Sequence, residues 1–495
     1  MSAYRALEAR FKRLADVRGA LAVLHWDRQA MMPAGGNGVR ADQEATLQEI
    51  AHEWLASEQT GALLDQATAE AATLDAWQAA NLREMRRIHA HATALEPELV
   101  AAQARAAARA EMIWREARAA ADFERLRPAL EEVLRLAREE AAAKAAALGL
   151  APYDALLDGY EPGLTSRAID DLLEPLAELL PAFLDRVLSR QQAPLPIEGP
   201  FPAGRQKALG LRLMADLGFD FDHGRLDESL HPFCGGVPDD VRMTARYDES
   251  DAASGLMAIL HETGHALYNA GLPKAWRGQP VGRSLGMVAH ESQSLLLEMQ
   301  VCRSRAFLGY LAPLLSATFE RDGDGDAFGA DNLHRAAIRV ARGFIRVDAD
   351  EVTYPLHVVL RYRLEKALLA GDLPLADLPG AWNEGMRALL GISPPDDRQG
   401  CLQDIHWPAG AFAYFPCYTL GALMAAQLFE VLRAALPEIE DQIGRGDFRP
   451  LLAWLRANIH EQGSLVDTPT LLTRITGRPL DPQPFLDHLQ RRYLG

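Results

Sequence analysis

From its start to roughly residue 190 the chain is written in helix formers: Ala, Leu, Glu and Arg dominate and proline is sparse. Such a stretch supports helices and little else. The segment from Leu99 to Leu148 is especially rich in Ala and Arg, with apolar residues at helical spacing around Leu130, Val133, Leu134 and Leu136. No heptad pattern persists along it, so packed antiparallel helices are expected rather than a coiled coil. No internal repeat of fixed period is evident.

Pro194, Pro196, Pro200 and Pro202 end this texture between Gln192 and Gly204. Beyond the break, His231 to Gly236 reads as a loop, and Val241 to Tyr247 alternates like a short strand. Next come an apolar helical run from Ala252 to Ala270 with Gly271 as its C-cap, a loop to Gly282, and a second helix from about Ser284 to Arg303. From Asp331 onward the pattern is again helical, broken by a loop from Ser393 to Trp407. The predicted fold class is mostly α, with a small β element beside the Ala252–Ala270 helix. At 495 residues the chain is too long for one simple core. An N-terminal helical lobe over 1–200 and a second lobe over 201–495, which holds the motifs described below, are expected, joined as one continuous structural unit.

A net charge of −17 argues against nucleic acid or an anionic membrane as the main partner. No apolar run approaches the roughly 18 residues that span a bilayer. The stretch from Met1 to Leu14 is charged and amphipathic and does not read as a signal peptide. Cys234, Cys302, Cys401 and Cys417 show no C-x-x-C spacing and are expected to be packed thiols, which points to a cytoplasmic location. The acidic run Asp322 to Asp326 resembles the start of a calcium loop. The sixth position, however, is Ala327 rather than Gly and the twelfth Leu333 rather than Glu, so a solvated turn is expected.

The residues richest in chemistry are His261-Glu262-Thr263-Gly264-His265, an H-E-x-x-H pattern inside the apolar run. At about 100° per residue, His265 stands roughly 40° round from His261 and Glu262 about 60° beyond His265. Two imidazoles one turn apart with a carboxylate just off their axis suit a catalytic zinc and a base that does not ligate it. Leu256, Leu260 and Leu267 form the neighbouring stripe that would anchor the helix in a core. For a third ligand the next helix offers Glu291 and, two turns on, Glu298. Spacing alone does not choose between them, and the neighbours Leu295, Leu296 and Met299 argue that their face is partly buried.

Further motifs stand around this centre: His231-Pro232-Phe233, Asp240-x-Arg242-x-Thr244, His290-Glu291-Ser292-Gln293, Ile345-Arg346-x-x-Ala349-Asp350 and Gly400-x-x-Gln403-Asp404-x-His406-Trp407. His25-Trp26-Asp27 and Met32-Pro33 precede them. In this order the set resembles the carboxypeptidase Taq family of zinc metallocarboxypeptidases, and the resemblance covers essentially the whole chain. It implies a mostly helical, two-lobed protein with a long substrate cleft, usually a homodimer. It also implies removal of single residues from free peptide C-termini with broad specificity, often poor at C-terminal proline. Glu291 then completes the ligand set, with one Zn2+ per chain for which Co2+ or another divalent ion can substitute.

By the same resemblance Glu262 is the general base and acid. His406 and Tyr418 are candidates to donate to the tetrahedral oxyanion, as in related oligopeptidases, with Tyr414 in reserve. A free C-terminal carboxylate calls for a planar guanidinium, Arg346 first and Arg242 second. Each has a competing role in an internal ion pair: Arg346 with Asp348, Asp350 or Glu351, and Arg242 with Asp240. The strand around Arg242 can also add main-chain hydrogen bonds to an extended peptide. Gln403 and Asp404 are expected to fix the loop carrying His406. An alternative enzyme is a zinc oligopeptidase of related helical fold. A helical scaffold with structural zinc is the non-enzymatic alternative, and Glu262 together with a ligand set of only three argues against it.

Overall fold

The computed structural model describes residues 2–321 and 325–495, and the side chains of the Asp322–Asp326 run lie outside the described residues. The fold is mostly α, with a three-stranded sheet. The chain divides into two compact units. One comprises Met1–Ala92, Ala193–Ala337 and Met424–Leu480, the other Thr93–Gln192, Ile338–Leu423 and Asp481–Gly495. The chain thus passes from unit to unit several times, where composition suggested one boundary near residue 200. Composition is blind to the first passage, at Ala92, because the same helix-forming texture runs through both sides of it.

In the first unit, the helix Ala3–Ala30 begins on Ser2, whose side chain accepts from the Arg5 amide. Its buried face, Tyr4, Leu7, Phe11 and Leu14, shares an apolar cluster with Leu55, Leu64 and Met85. The sheet follows. Strand β1 (Gly224–Glu228) pairs in parallel with β3 (Asp240–Ala245), and β2 (Phe233–Val237) pairs antiparallel with β3. The β3 strand falls where alternation predicted one. Strand β1 has a single buried apolar residue, Leu226, so no alternation announces it. Strand β2 replaces the loop expected over Phe233 to Gly236. The glycines that read as a loop are needed for close pairing: Gly236 has φ 86°, and a Cβ there would meet the Asp240 carbonyl oxygen at 2.1 Å. Arg225 and Arg242 are register partners, and both guanidinium groups lie over the buried Trp26 ring, at 5.0 and 4.4 Å.

The H-E-x-x-H helix runs Ala252–Gly271, and its N-cap Asp251 accepts from the amides of Ala253 and Ser254. Gly271 is its last residue rather than a cap beyond it, and the chain leaves through Leu272 in an extended conformation. What Gly271 provides is space: a Cβ would stand 2.6 Å from His460 Nδ1. Leu256, Leu260 and Leu267 are buried, as the apolar stripe predicted, and Ile259 and Tyr268 are buried beside them. The following helix starts later than expected, at Met287, and continues past Leu295 as a π-helical segment, Leu296–Cys302. Segments of this kind are rare and cluster at functional sites.

In the second unit, the helix Phe123–Leu148 is capped by Asp122 and ended by Gly149 in the left-handed region, and it buries Leu130, Val133, Leu134 and Leu136. Helices Ser166–Arg190, Tyr354–Ala370 and Leu378–Leu390 pack in the same unit. The loop expected to end at Trp407 continues to Phe415, before the helix Pro416–Ala435. Gly410 and Ala413, at φ 76° and 65°, are incompatible with an earlier helix start. Among the described residues, no helix is long and apolar enough to cross a membrane.

Candidate active site

In the first unit, the H-E-x-x-H helix and the helix after it meet at Gly264. A Cβ on that residue would lie 2.6 Å from the Gln293 carbonyl oxygen and from Ser294 Cα. At this contact the two helices carry His261, His265 and Glu291 to one place, with candidate ligand atoms all within 4.8 Å of one another. His261 Nε2 is 3.9 Å from one Glu291 oxygen, and His265 Nε2 is 3.7 Å from the other. Ligand atoms about 2.0–2.1 Å from a tetrahedral ion stand roughly 3.4 Å from one another, so this spacing suits a divalent metal.

The other ring nitrogens explain why both Nε2 atoms are available. His265 Nδ1–H donates to the His290 carbonyl oxygen at 3.1 Å, and His261 Nδ1–H donates to Glu298 at 2.9 Å. A carbonyl or carboxylate acceptor on Nδ1 leaves the Nε2 lone pair for a metal. Glu298, which spacing left as a possible ligand, is therefore engaged elsewhere, and its second oxygen accepts from Arg303 at 2.7 Å. Its role, and that of the His290 carbonyl, was not visible in the sequence.

Charge follows the same geometry. Burial alone would lower the His261 pKa, but the Glu298 hydrogen bond and the charges of Glu291, Glu298 and Glu262 raise it to about 9 in the metal-free protein. His265 is held well below its ordinary value by burial and by His290 and His261. Burial would raise Glu298, but Arg303 and His261 outweigh it and bring the carboxyl to about 2. Burial raises Glu262, leaving it a stronger base than a solvated glutamate. Arg242 is bound at Nε and Nη2 by Asp240, at 2.9 and 2.8 Å.

The remaining sequence candidates lie in the second unit. His406 Nε2 and the Tyr418 hydroxyl share a hydrogen bond at 3.2 Å. Tyr414 meets Tyr418 edge-on at 5.1 Å, and its ring is 5.9 Å from that of His406. Burial lowers His406 to about 4, so its imidazole is neutral at neutral pH. Arg346 is buried: Nε and Nη2 donate to one Asp404 oxygen at 3.0 and 2.8 Å, and Nη1 donates to the Tyr354 hydroxyl at 2.7 Å. The other Asp404 oxygen accepts from Arg361 at 2.6 Å. The ion-pair partner of Arg346 is thus Asp404, not the nearer-in-sequence Asp348, Asp350 or Glu351. Gln403 ties this cluster to the main chain, accepting from the Arg346 amide at 2.8 Å and donating to the Phe344 carbonyl at 3.0 Å.

Comparison with known proteins establishes the family. The model of the carboxypeptidase Taq (M32) metallopeptidase family matches residues 6–493. The chain is 40% identical to thermostable carboxypeptidase 1 of Thermus thermophilus over 487 residues, covering 96% of this chain and 94% of that one. It is 34% identical to carboxypeptidase 1 of Bacillus subtilis over 490 residues, 97% of this chain and 96% of that one. Among solved structures, metallocarboxypeptidase 1 of Trypanosoma cruzi superposes with a TM-score of 0.97 at 40% identity, covering 100% of this chain and 99% of that one. The chain therefore belongs to the carboxypeptidase Taq (M32) family and is a metallocarboxypeptidase, a peptide hydrolase.

Proposed function

We propose that the enzyme releases single amino acids from free peptide C-termini, with broad specificity, at a centre where His261, His265 and Glu291 hold one zinc ion. The observation that carries this reading is the convergence of two Nε2 atoms on the Glu291 carboxylate while both Nδ1–H groups donate to fixed acceptors. A divalent ion in such a site supplies Lewis acidity and lowers the pKa of water. Zinc is preferred over magnesium because the donor set is two imidazoles and one carboxylate. Cobalt, which suits the same donors, is the expected substitute.

Glu262 takes the proton from the attacking water and returns it to the leaving amine, a role that its burial-raised basicity supports. His406 and Tyr418 donate to the tetrahedral oxyanion. Their mutual hydrogen bond and the neutral imidazole support that assignment, with Tyr414 in reserve. Arg346 and Arg242 are the proposed contacts for the substrate carboxylate. Arg346 has Asp404 and Tyr354 on its guanidinium, whereas Asp240 occupies only the Nε–Nη2 edge of Arg242. Peptides with a free C-terminus are the substrates; a homodimeric assembly, carried by the family resemblance alone, and a cytoplasmic location, carried by the cysteine pattern, complete the proposal.

The test is mass spectrometry of one unblocked peptide and its C-terminal amide, with and without a chelator. A ladder of single-residue losses from the free C-terminus is expected, abolished by chelation and restored by zinc or cobalt. Internal cuts, or equal cleavage of the amidated peptide, would overturn the proposal.

A further inference from the structure

Glu365 lies on the helix Tyr354–Ala370 and is fully buried. Among the described residues no cation pairs with it; its partners are neutral donors. One oxygen accepts from Trp407 Nε1 at 2.8 Å. The other accepts from the Ala413 amide at 2.7 Å and from the Tyr153 hydroxyl at 2.9 Å. Burial, opposed by these three hydrogen bonds, pushes the carboxyl up to about 7. A buried carboxylate without a cation is costly, so its place in the fold calls for a reason.

The reason lies in what the donors belong to. Trp407 directly follows His406, and Ala413 directly precedes Tyr414, so one side chain grips both ends of the intervening loop. Within it, the Ala411 amide donates to the His406 carbonyl at 2.8 Å and the Gly410 amide to the Trp407 carbonyl at 2.9 Å. Ala413 has φ 65°, a left-handed conformation that is unfavourable for a residue with a Cβ. Its amide is aimed at Glu365 in that conformation. A loop would otherwise be among the more mobile parts of a fold.

We infer that Glu365 is a positioning residue which, by holding Trp407 and Ala413, fixes His406, Tyr414 and Tyr418 relative to one another. The inference rests on the reading of His406 and Tyr418 as oxyanion donors. A misplaced donor weakens an interaction made only in the transition state, so the loss belongs in kcat rather than in KM.

The experiment compares Glu365→Gln, Tyr418→Phe and the double variant on one unblocked peptide, with bound metal measured in each. Glutamine keeps the shape and one oxygen but turns an amide N–H toward a donor. Glu365→Gln is expected to lower kcat about tenfold or more with KM and metal content near wild type, and the double variant to lose less than the product of the single losses. Should Glu365→Gln fail to fold, Trp407→Phe removes one donor while keeping an aromatic side chain, and a smaller loss of the same kind is expected. Unchanged kcat in Glu365→Gln beside a loss in Tyr418→Phe overturns the inference alone, as do multiplicative losses in the double variant. Unchanged kcat in Tyr418→Phe overturns the oxyanion reading as well.

Discussion

Gly264 and Gln293 are in backbone contact: a Cβ at 264 would fall 2.6 Å from the Gln293 carbonyl oxygen. The metal-site geometry depends on this approach, because Gly264 lies directly before His265 and Gln293 is two residues beyond Glu291. Gly264→Ala is therefore expected to force the two helices apart. Overpacking of this kind costs about 1–3 kcal/mol of stability. Zinc affinity is expected to fall by roughly tenfold or more, since ligand positions matter within tenths of an ångström. Thermal denaturation of the apoprotein and a competition titration against a chromophoric chelator read the two effects separately; unchanged zinc affinity would refute the account.

Glu298 orients His261 from outside the ligand set. Glu298→Gln removes the charge that accepts from His261 Nδ1–H and balances Arg303. Loss of such a partner costs roughly 10–100-fold in metal affinity. The same competition titration measures it. Wild-type affinity in the variant would return Glu298 to a purely structural role.

Metal uptake is expected to be coupled to protons. With its pKa raised to about 9, His261 is protonated in the metal-free protein at neutral pH and must lose that proton to ligate. Apparent zinc affinity should therefore rise with pH, by up to about tenfold per unit, and level off near pH 9. Calorimetry in two buffers of different ionisation enthalpy would detect the released proton. An affinity flat from neutrality to pH 9 contradicts the assignment.

The Asp404 carboxylate lies between two buried guanidinium groups, those of Arg346 and Arg361. Burial would raise its pKa, but Arg361 and Arg346 outweigh burial and hold it well below the ordinary 3.8. Its folded pKa is depressed, so its stabilisation is present above that ordinary value and is lost as pH falls below it. Asp404→Asn leaves both cations uncompensated and is expected to cost about 3–5 kcal/mol at neutral pH. It should also flatten the acid limb of the stability curve. Urea denaturation at several pH values tests both statements.

The proposed metal ligands His261 and His265 were legible because a helix converts spacing into direction: the two could hardly face apart. Glu291 was legible only as one of two carboxylates on a following helix, and choosing it needed the family resemblance. The function of Glu298 depends on which histidine nitrogen it reaches, and that is set by tertiary contact across two helices and a π-helical turn. Strand β2 was hidden because Gly235 and Gly236 carry the composition of a loop even where they pair. Arg346 was expected to find its partner among nearby acids, yet the structure supplies Asp404, far along the chain. The grip of Glu365 on Trp407 and Ala413 was invisible for the same reason: a lone glutamate in a helical pattern reads as solvated.

The two proposed ligand histidines are held by acceptors of different kinds, a side-chain carboxylate for His261 and a main-chain carbonyl for His265. Substitution can therefore retune one arm of the centre and not the other. Exchanging residue 298 among carboxylate, amide and hydroxyl would grade the electron donation of His261, while His265 keeps its own acceptor whatever side chain stands at 290. Anyone wishing to shift this centre toward cobalt or nickel has a single-residue dial on one ligand and a fixed reference on the other.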